Sequence, residues 1–486
     1  MTLAPVASDK LTLKTKLAFG VGSAAETIAL FAVASYALLF YNQVLGVKAS
    51  WVGLAISASL IMDGIVDPVV GSWSDRTTNT KWGRRHPWMF AAPIPIAICF
   101  FAIFNPPRGL DSLGLAIWCG VSVSLMRQFM AVFHTPHLAL GGELSPHYTE
   151  RSKVMSYNNF FTWAGGSAMS YIALTFFFPK SAQFHNGLLN PEPWSQFGAT
   201  MAIGVVAILF VSAWFTRDRI PFLPKPALET PKFSPAEFFK DVVKAVSNRN
   251  YLWLLIAFFF LSMMLGVREV LRLYVLSFYW GISSSDLRYY IIGSFVGFLA
   301  AFLFSARLHG RFDKKVVIIA GALGLAIVPA IPIVFGQMGF LNSATTGLLP
   351  LLITFSAGSA CAGAVLNIGV NSALADIADE NELKHGIRQE GIFFSTRAFA
   401  GKLDQAMGIA LAGFVIDFIQ FPAKAKPGLV PDETLFNLAL FDGAIATIPG
   451  LIAAACYARY RINRQSYEAT RVALVLQRQQ AAAVAG

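Results

Sequence analysis

The most regular feature of this sequence is the alternation of long apolar runs with short polar loops. The apolar runs form two groups of six, and each is long enough to cross a hydrocarbon layer of about 30 Å as a helix. They cover residues 17–45, 51–74, 87–105, 112–142, 154–178, 196–216, 251–280, 286–306, 316–337, 348–374, 391–420 and 436–458. The pattern predicts an all-α polytopic membrane protein with 12 transmembrane helices in two six-helix bundles.

Changes in composition divide the chain into four predicted segments. An N-terminal bundle over residues 1–216 and a C-terminal bundle over 251–460 flank a linker at 217–250, and a tail occupies 461–486. The linker is first rich in proline and charge and then amphipathic, which predicts a cytoplasmic connection that ends in an interfacial helix. The tail is basic and rich in alanine and glutamine, which indicates a solvated or surface-lying helix. The N-terminus lacks an early apolar segment, so we expect the first transmembrane helix to direct insertion.

Composition and charge support a membrane protein and argue against a nucleic-acid partner. The chain is 55% hydrophobic and 13% charged, with a mean hydropathy of +0.57. Its net charge of +11 comes from basic residues in short loops rather than from a basic stripe. These residues concentrate in the predicted even-to-odd loops, the linker and the two ends. The positive-inside rule therefore predicts that both termini are cytoplasmic, in the cytoplasmic (inner) membrane.

Two carboxylates occur inside the second apolar run. Asp63 and Asp67 are spaced i, i+4, which places them on one helical face. Counted from Trp51, Asp63 lies about 18 Å along the helix, near the middle of the bilayer. An ionisable pair at that depth is costly and indicates a site for a cation or a proton. The alternative is a buried ion pair with basic residues of neighbouring helices that only holds the bundle together.

The residues around these carboxylates form a long and specific motif. The pattern D-x-x-x-D-P-x-x-G-x-x-x-D-R-T, followed by W-G-R-R-x-P-W, resembles the second helix and loop of the glycoside-pentoside-hexuronide:cation symporters. This family belongs to the major facilitator superfamily and includes the melibiose/cation symporters. Related patterns recur at PHLALGGELSPHYTER, from Pro136, and at ADIADENELKHGIRQEG, from Ala375. The resemblance implies two parallel repeats with a substrate site near the midplane.

The resemblance also implies a charged partner for the aspartates. Arg388, Glu390 and Lys402 have the spacing of the family's R-x-E and of a lysine twelve residues later on helix eleven. Lys402 thus resembles the family lysine that neighbours the cation-site aspartates. The sequence predicts a cation-coupling site formed by Asp63, Asp67 and Lys402, in which cation binding competes with an internal ion pair.

Departures from the family pattern bear on the coupling ion. Sodium-using members typically carry an asparagine and a threonine where this chain has Val66 and Ala131. Two neutral oxygen ligands are therefore missing. Na⁺ needs several oxygens to replace its water, whereas a proton needs one carboxylate, so the sequence favours H⁺ and leaves Na⁺ as the alternative.

Other departures concern the substrate. His134, Leu138 and Asn159 replace an aspartate, a stacking tryptophan and an arginine of sugar-binding relatives, and Thr27 replaces an aspartate on helix one. The remaining polar groups at this depth complete a candidate substrate site of Glu26, Thr27, Arg127, His134, Leu138, Asn159 and Arg397. Buried arginines such as Arg127 and Arg397 have intrabundle salt bridges as an equal alternative. His134 and His137 either titrate near neutrality or donate hydrogen bonds to a ligand, and the second interpretation is favoured for His137, which lies closer to the cytoplasm.

The cytoplasmic loops interleave acids and arginines at repeated positions. We expect them to form state-dependent salt bridges that lock the two halves in the inward-closed conformation. The predicted cytoplasmic gate consists of Asp75, Arg76, Arg84, Arg85, Glu143, Arg151, Asp376, Asp379, Arg388 and Glu390. Topology signals alone explain the arginines but not the acids.

These patterns predict secondary active transport of a glycoside or related sugar-like solute by a chain that functions as a monomer. A second interpretation is a carrier for an amphipathic or anionic organic solute, such as a lysolipid or a sulfonated or uronic sugar. The sequence contains no HExxH or GxSxG motif, no pore loop and no cysteine spacing of a metal site, so we expect neither an enzyme, a channel, a metal site nor a cofactor.

Overall fold

The computed structural model describes residues 11–77, 81–145, 147–223, 234, 240, 242–243, 245–385 and 390–485. Thirteen long helices, α1–α13, make up most of this part of the chain. They are α1 (Leu13–Ala37), α2 (Ala49–Arg76), α3 (His86–Phe104), α4 (Ser112–Glu143), α5 (Tyr148–Ile172), α6 (Pro193–Thr216), α7 (Arg249–Tyr274), α8 (Ser284–Arg311), α9 (Lys314–Gln337), α10 (Leu348–His385), α11 (Glu390–Phe418), α12 (Asp432–Tyr457) and α13 (Arg464–Ala485).

The helices agree with the predicted membrane spans. Eleven helices of the described part are long and apolar enough to cross a membrane. The twelfth predicted span, 154–178, corresponds to α5, which a π-helical turn at Ala173–Phe177 extends. Its first turns carry Glu150, Arg151 and Lys153, which make α5 the most polar of the twelve. The chain is thus an all-helical, multi-pass membrane protein of the predicted class.

The chain forms two compact units. Unit 1 comprises Met1–Phe233, Leu276–Arg288 and Ile409–Thr434. In it α1 packs against α5 and α6, and α2 packs against α4. Close approach depends on small residues, since a Cβ on Gly165 of α5 would lie 2.7 Å from Cα of Ala24 on α1. Asp417 accepts hydrogen bonds from the backbone N–H groups of Ala49 and Ser50, which satisfies the start of α2.

Unit 2 comprises Ser234–Val275, Tyr289–Gly408 and Leu435–Gly486. Its core is apolar and includes residues of α7, α9, α10 and α12. Helix α9 is interrupted between Ile327 and Ala330, where Pro329 has no N–H to donate. The predicted interfacial helix of the linker falls largely outside the described residues, and the tail forms helix α13.

Candidate functional site

Helix α2 brings Asp63 to Arg127 of α4 within unit 1. The two helices run parallel, because Gly120 faces Ala55 near one end and Gly71 faces Thr135 near the other. This register places Asp63 and Arg127 at one level. Asp63 Oδ2 lies 3.6 Å from Arg127 Nη1, and both side chains are buried. The described structure therefore gives Asp63 a counter-charge inside its own unit.

A second acid and base meet one level further along α4. His134 Nδ1 lies 2.6 Å from Glu26 Oε2 of α1, which forms an ion pair when the imidazole is protonated, and both side chains are partly exposed. His134 follows Arg127 by seven residues, so the two bases share a face of α4. Asp67 is half-buried and, with Asp63 and Glu26, acts electrostatically on the Arg127 guanidinium. Two basic residues of α4 thus interact with three carboxylates of α1 and α2.

Hydrogen bonds fix the neighbouring polar side chains of α1. The Thr27 hydroxyl donates to the Ser23 carbonyl at 2.9 Å, and the Ser23 hydroxyl donates to Asn158 Oδ1 on α5. His137 is buried, with Nε2 2.8 Å from the Phe19 carbonyl, and its ring stacks on the Phe19 ring. His137 accordingly binds the backbone of α1, where the sequence predicted a bond to a ligand.

The other candidate substrate residues of unit 1 are more accessible. Leu138 is 44% exposed, and Asn159 is exposed whereas its neighbour Asn158 is buried. Sequence reasoning missed Gln128, which follows Arg127 on α4. Both amide atoms of Gln128 are buried, and neither has a hydrogen-bond partner among the described residues. A polar amide inside an apolar run was the signal that could have identified it.

Arg397 and Lys402 lie on α11 in unit 2. The Arg397 guanidinium donates to Asn371 Oδ1 on α10 and lies over the Phe258 ring of α7, 4.6 Å from its centroid. Lys402 is half-buried. The predicted proximity of Lys402 to Asp63 and Asp67 stays a prediction.

Arg268 of α7 has a different role from Arg127. Its guanidinium donates to the carbonyls of Leu325 and Ala326 at 3.1 and 2.8 Å and to the Thr447 hydroxyl at 2.7 Å. The Leu325 carbonyl would ordinarily accept from the residue four positions later, which is Pro329. Arg268 therefore satisfies the carbonyls that the break in α9 leaves open.

The predicted gate residues of unit 1 form a compact ion network. Arg85 Nη2 lies 2.6 Å from Asp75 and 2.7 Å from Glu143, and Arg84 lies 2.7 Å from Glu143. Arg85 also donates to the Ser74 hydroxyl. These bonds tie the end of α2 and the start of α3 to the end of α4. The predicted lock between the two halves stays a prediction.

The remaining gate residues show fewer contacts in the described structure. Arg76 has two buried nitrogens, Nε and Nη2, without a hydrogen-bond partner there, and Arg151 is exposed. In unit 2, Asp376 of α10 pairs with Lys314 of α9 at 2.8 Å, a partner that sequence reasoning missed. Asp379 is half-buried, Glu390 begins α11, and Arg388 lies outside the described residues.

Comparisons with known proteins agree with this architecture. Residues 18–464 match the family described as MFS/sugar transport protein. YagG of Escherichia coli (strain K12), a proposed glycoside/cation symporter, is 26% identical over 88% of this chain and 87% of its own length. The isoprimeverose transporter of Lactiplantibacillus pentosus is 26% identical over 79% and 76%.

Two further similarities show the range of the fold. The sodium-dependent lysophosphatidylcholine symporter 1 of Xenopus tropicalis is 22% identical over 97% of this chain and 91% of its own. A solved D-xylose-proton symporter superposes with a TM-score of 0.61 at 15% identity, over 92% of this chain and 98% of that one. The chain belongs to the MFS/sugar transport protein family, the glycoside-pentoside-hexuronide:cation symporter-like branch of the major facilitator superfamily, and is a membrane transporter rather than an enzyme.

Proposed function

We propose that this protein is an H⁺-coupled symporter that moves a glycoside or related sugar-like solute across the cytoplasmic membrane by alternating access. The observation that carries the proposal is the buried pair of Asp63 and Arg127, with Asp67 one helical turn after Asp63 and acting electrostatically on the same guanidinium. A proton that binds Asp63 neutralises the carboxylate and releases Arg127 from it. Proton binding and the internal ion pair therefore exclude each other, which is the requirement for coupling.

The second pair extends this logic to the solute. Glu26 and His134 are partly exposed, so a ligand can reach both. Hydroxyl groups of a sugar can accept from His134 and donate to Glu26, and they can replace the ion pair that joins the two side chains. Gln128 offers an amide whose two buried atoms have no partner within the described structure. We propose that Glu26, His134 and Gln128 contact the solute and that Arg127 links solute binding to Asp63.

The proposed coupling ion is H⁺ because neutral oxygen ligands are scarce around the aspartates. Ala131, on the turn of α4 level with Asp67, is buried and offers no lone pair, and Val66 precedes Asp67. The guanidinium of Arg127 lies 3.6 Å from Asp63, and its charge would repel a bound sodium ion. A proton needs no such shell.

A second candidate is a carrier of an amphipathic or anionic solute. It is favoured by the exposed apolar side chain of Leu138, four residues after His134, and by the buried Arg127, which would bind an anionic head group. A relative named as a lysophosphatidylcholine symporter matches over nearly the whole chain. The two candidates differ in the solute and share the coupling site.

Counterflow in proteoliposomes separates the candidates. Vesicles are preloaded with one unlabelled solute from a panel of glycosides, uronates, sulfonated sugars and lysolipids, and entry of labelled solute is followed. The proposal predicts exchange of at least one neutral glycoside and loss of that exchange in His134→Ala. Asp111→Asn, which changes the N-cap of α4 outside the candidate substrate site, is the control. Exchange of lysolipids alone would contradict the glycoside proposal.

A further inference from the structure

Asp404 is a buried carboxylate of unit 2 that the coupling site described above does not use. It lies on α11, and only 3% of the residue is exposed. Its Oδ2 atom is buried, and it has no hydrogen-bond partner within the described structure. A carboxylate in such a setting requires an explanation, because an ionised form without a partner is strongly disfavoured inside a membrane.

The packing of α11 against α7 defines the surroundings of Asp404. Tyr251 packs against Phe393, Phe258 packs on Gly401, and Gly266 touches Gly408. In each of these contacts the residue number on α11 exceeds that on α7 by 142 or 143. The two helices therefore run parallel, and Asp404 lies level with Leu261 and Ser262 of α7. Gly401 and Gly408 lie three residues before and four residues after Asp404. The carboxylate is therefore on the contact face of α11.

The contact is especially close just beyond Asp404. A Cβ on Gly408 would lie 2.7 Å from the Gly266 Cα, so the two backbones touch there. Leu261 and Ser262 are themselves buried. Only 3% of Asp404 is exposed, so water has little access to an ionised carboxylate while this contact is closed. Opening of the α7–α11 contact would give an ionised Asp404 access to water.

Lys402 lies two residues before Asp404 and therefore points to a different side of α11. The two arginines next in distance along these helices bind other groups. Arg397 lies seven residues earlier, about 10 Å along α11, and binds Asn371 and Phe258. Arg268 lies about 10 Å further along α7 and binds two backbone carbonyls. Other described ionisable groups of α7, α10 and α11 lie towards the ends of these helices. On α7 they include Tyr251, which donates to Phe393, and the Glu269–Arg272 pair. On α10 they include Asp376, which pairs with Lys314, and Asp379, Glu380 and Glu382.

We propose that Asp404 is a second proton-binding site, which holds its proton while the α7–α11 contact is closed and exchanges it when that contact opens. The chemical class of its ligand is H⁺, because a lone carboxyl at a glycine contact offers neither the space nor the oxygens for a metal cation. The proposal deepens the proposed H⁺ coupling and rests on it for a role in transport. Its test, however, needs neither solute nor transport.

Infrared difference spectroscopy on the full-length protein in lipid vesicles tests the proposal. A protonated carboxyl has a carbonyl stretching band that an ionised carboxylate lacks. We expect such a band at neutral pH that Asp404→Asn removes, that Asp404→Glu moves, and that Asp63→Asn leaves in place. The band should shift after transfer to D₂O, because the bound proton exchanges each time the helices separate. Asp111→Asn, which keeps the N-cap of α4, is the matched control.

Two results would overturn the proposal. A band that persists unchanged in Asp404→Asn, or no such band in the wild type, would show that Asp404 is not protonated. A band that belongs to Asp404 but never shifts in D₂O would show a trapped proton that stabilises the fold only. If Asp404→Asn does not fold, the Asp404→Glu band shift decides between these outcomes. Uptake driven by Na⁺ would refute the proposed function and leave the Asp404 band as a separate result.

Discussion

The buried arginines of the two units make their direct contacts with different kinds of partner. In unit 1, the Arg127 guanidinium lies 3.6 Å from the Asp63 carboxylate, and Asp67 and Glu26 also act on it electrostatically. In unit 2, Arg268 donates hydrogen bonds to two backbone carbonyls and a hydroxyl, and the buried Asp442 acts on it electrostatically. A proton can neutralise the direct partner of Arg127, whereas the direct partners of Arg268 are neutral groups at the break in α9. A buried arginine in a membrane helix therefore points to coupling most clearly when its direct partner is titratable.

The largest effect is expected from the carboxylates of unit 1. Asp63→Asn and Asp67→Asn should each abolish accumulation of solute against a gradient, because the exchangeable charge beside Arg127 is lost. At least one of them should retain downhill exchange, since solute contacts remain. Accumulation and counterflow are measured in the same vesicles, with Asp111→Asn as control. Uphill uptake by the double variant at the wild-type level would contradict the account.

A strong but smaller effect is expected from Lys402 in unit 2. Lys402→Val should reduce the initial rate of uptake by about tenfold or more, which corresponds to about 1.4 kcal/mol, while protein yield changes less. The reason is the predicted pairing of this ammonium with the aspartates. Lys402→Arg keeps the charge and serves as the control. Normal transport by Lys402→Val would remove Lys402 from the predicted coupling site.

Arg268→Gln should affect stability rather than coupling. It withdraws donors from the carbonyls of Leu325 and Ala326, and each unpaired buried carbonyl costs on the order of 1–3 kcal/mol. We expect a lower melting temperature in detergent and an unchanged pH dependence of residual uptake. Arg108→Gln, on an exposed loop residue, is the control. A changed pH dependence with full stability would place Arg268 among the coupling residues.

The smallest effect is expected from Glu150 at the start of α5. Hydrogen bonds from Lys153 and Lys16 lower the pKa of Glu150 from 4.5 to about 2. A carboxyl group with a lowered pKa stabilises the folded protein when the pH is above the group's ordinary pKa of 4.5. This stabilisation is lost as the pH falls towards 2. The contribution is therefore constant between about pH 5 and 8. Glu150→Gln should leave the pH profile of uptake unchanged, and a shifted profile would contradict this reasoning.

The sequence predicted the helices well because the length and hydropathy of a membrane span are local properties. The spacing of Asp63 and Asp67 likewise singled out this pair as a candidate coupling site, and their role in coupling stays a prediction. The partner of Asp63 was harder to predict, since the register of α2 against α4 depends on contacts at Gly71 and Gly120. His137 shows the same limit. A histidine inside an apolar run favoured a hydrogen bond to a ligand. In the structure, the packing of α1 against α4 instead directs Nε2 to the Phe19 carbonyl.

The most direct test of the central claim, that the acids of unit 1 couple uptake to H⁺, is to identify the ion that drives uptake. Proteoliposomes are given an inward H⁺ gradient without Na⁺, or an inward Na⁺ gradient at clamped pH, both at clamped membrane potential, with a solute identified by counterflow. H⁺ coupling predicts accumulation with the pH gradient alone, alkalinisation of a lightly buffered suspension on solute addition, and loss of both in Asp63→Asn. Accumulation that requires Na⁺ and ignores the pH gradient would contradict the account.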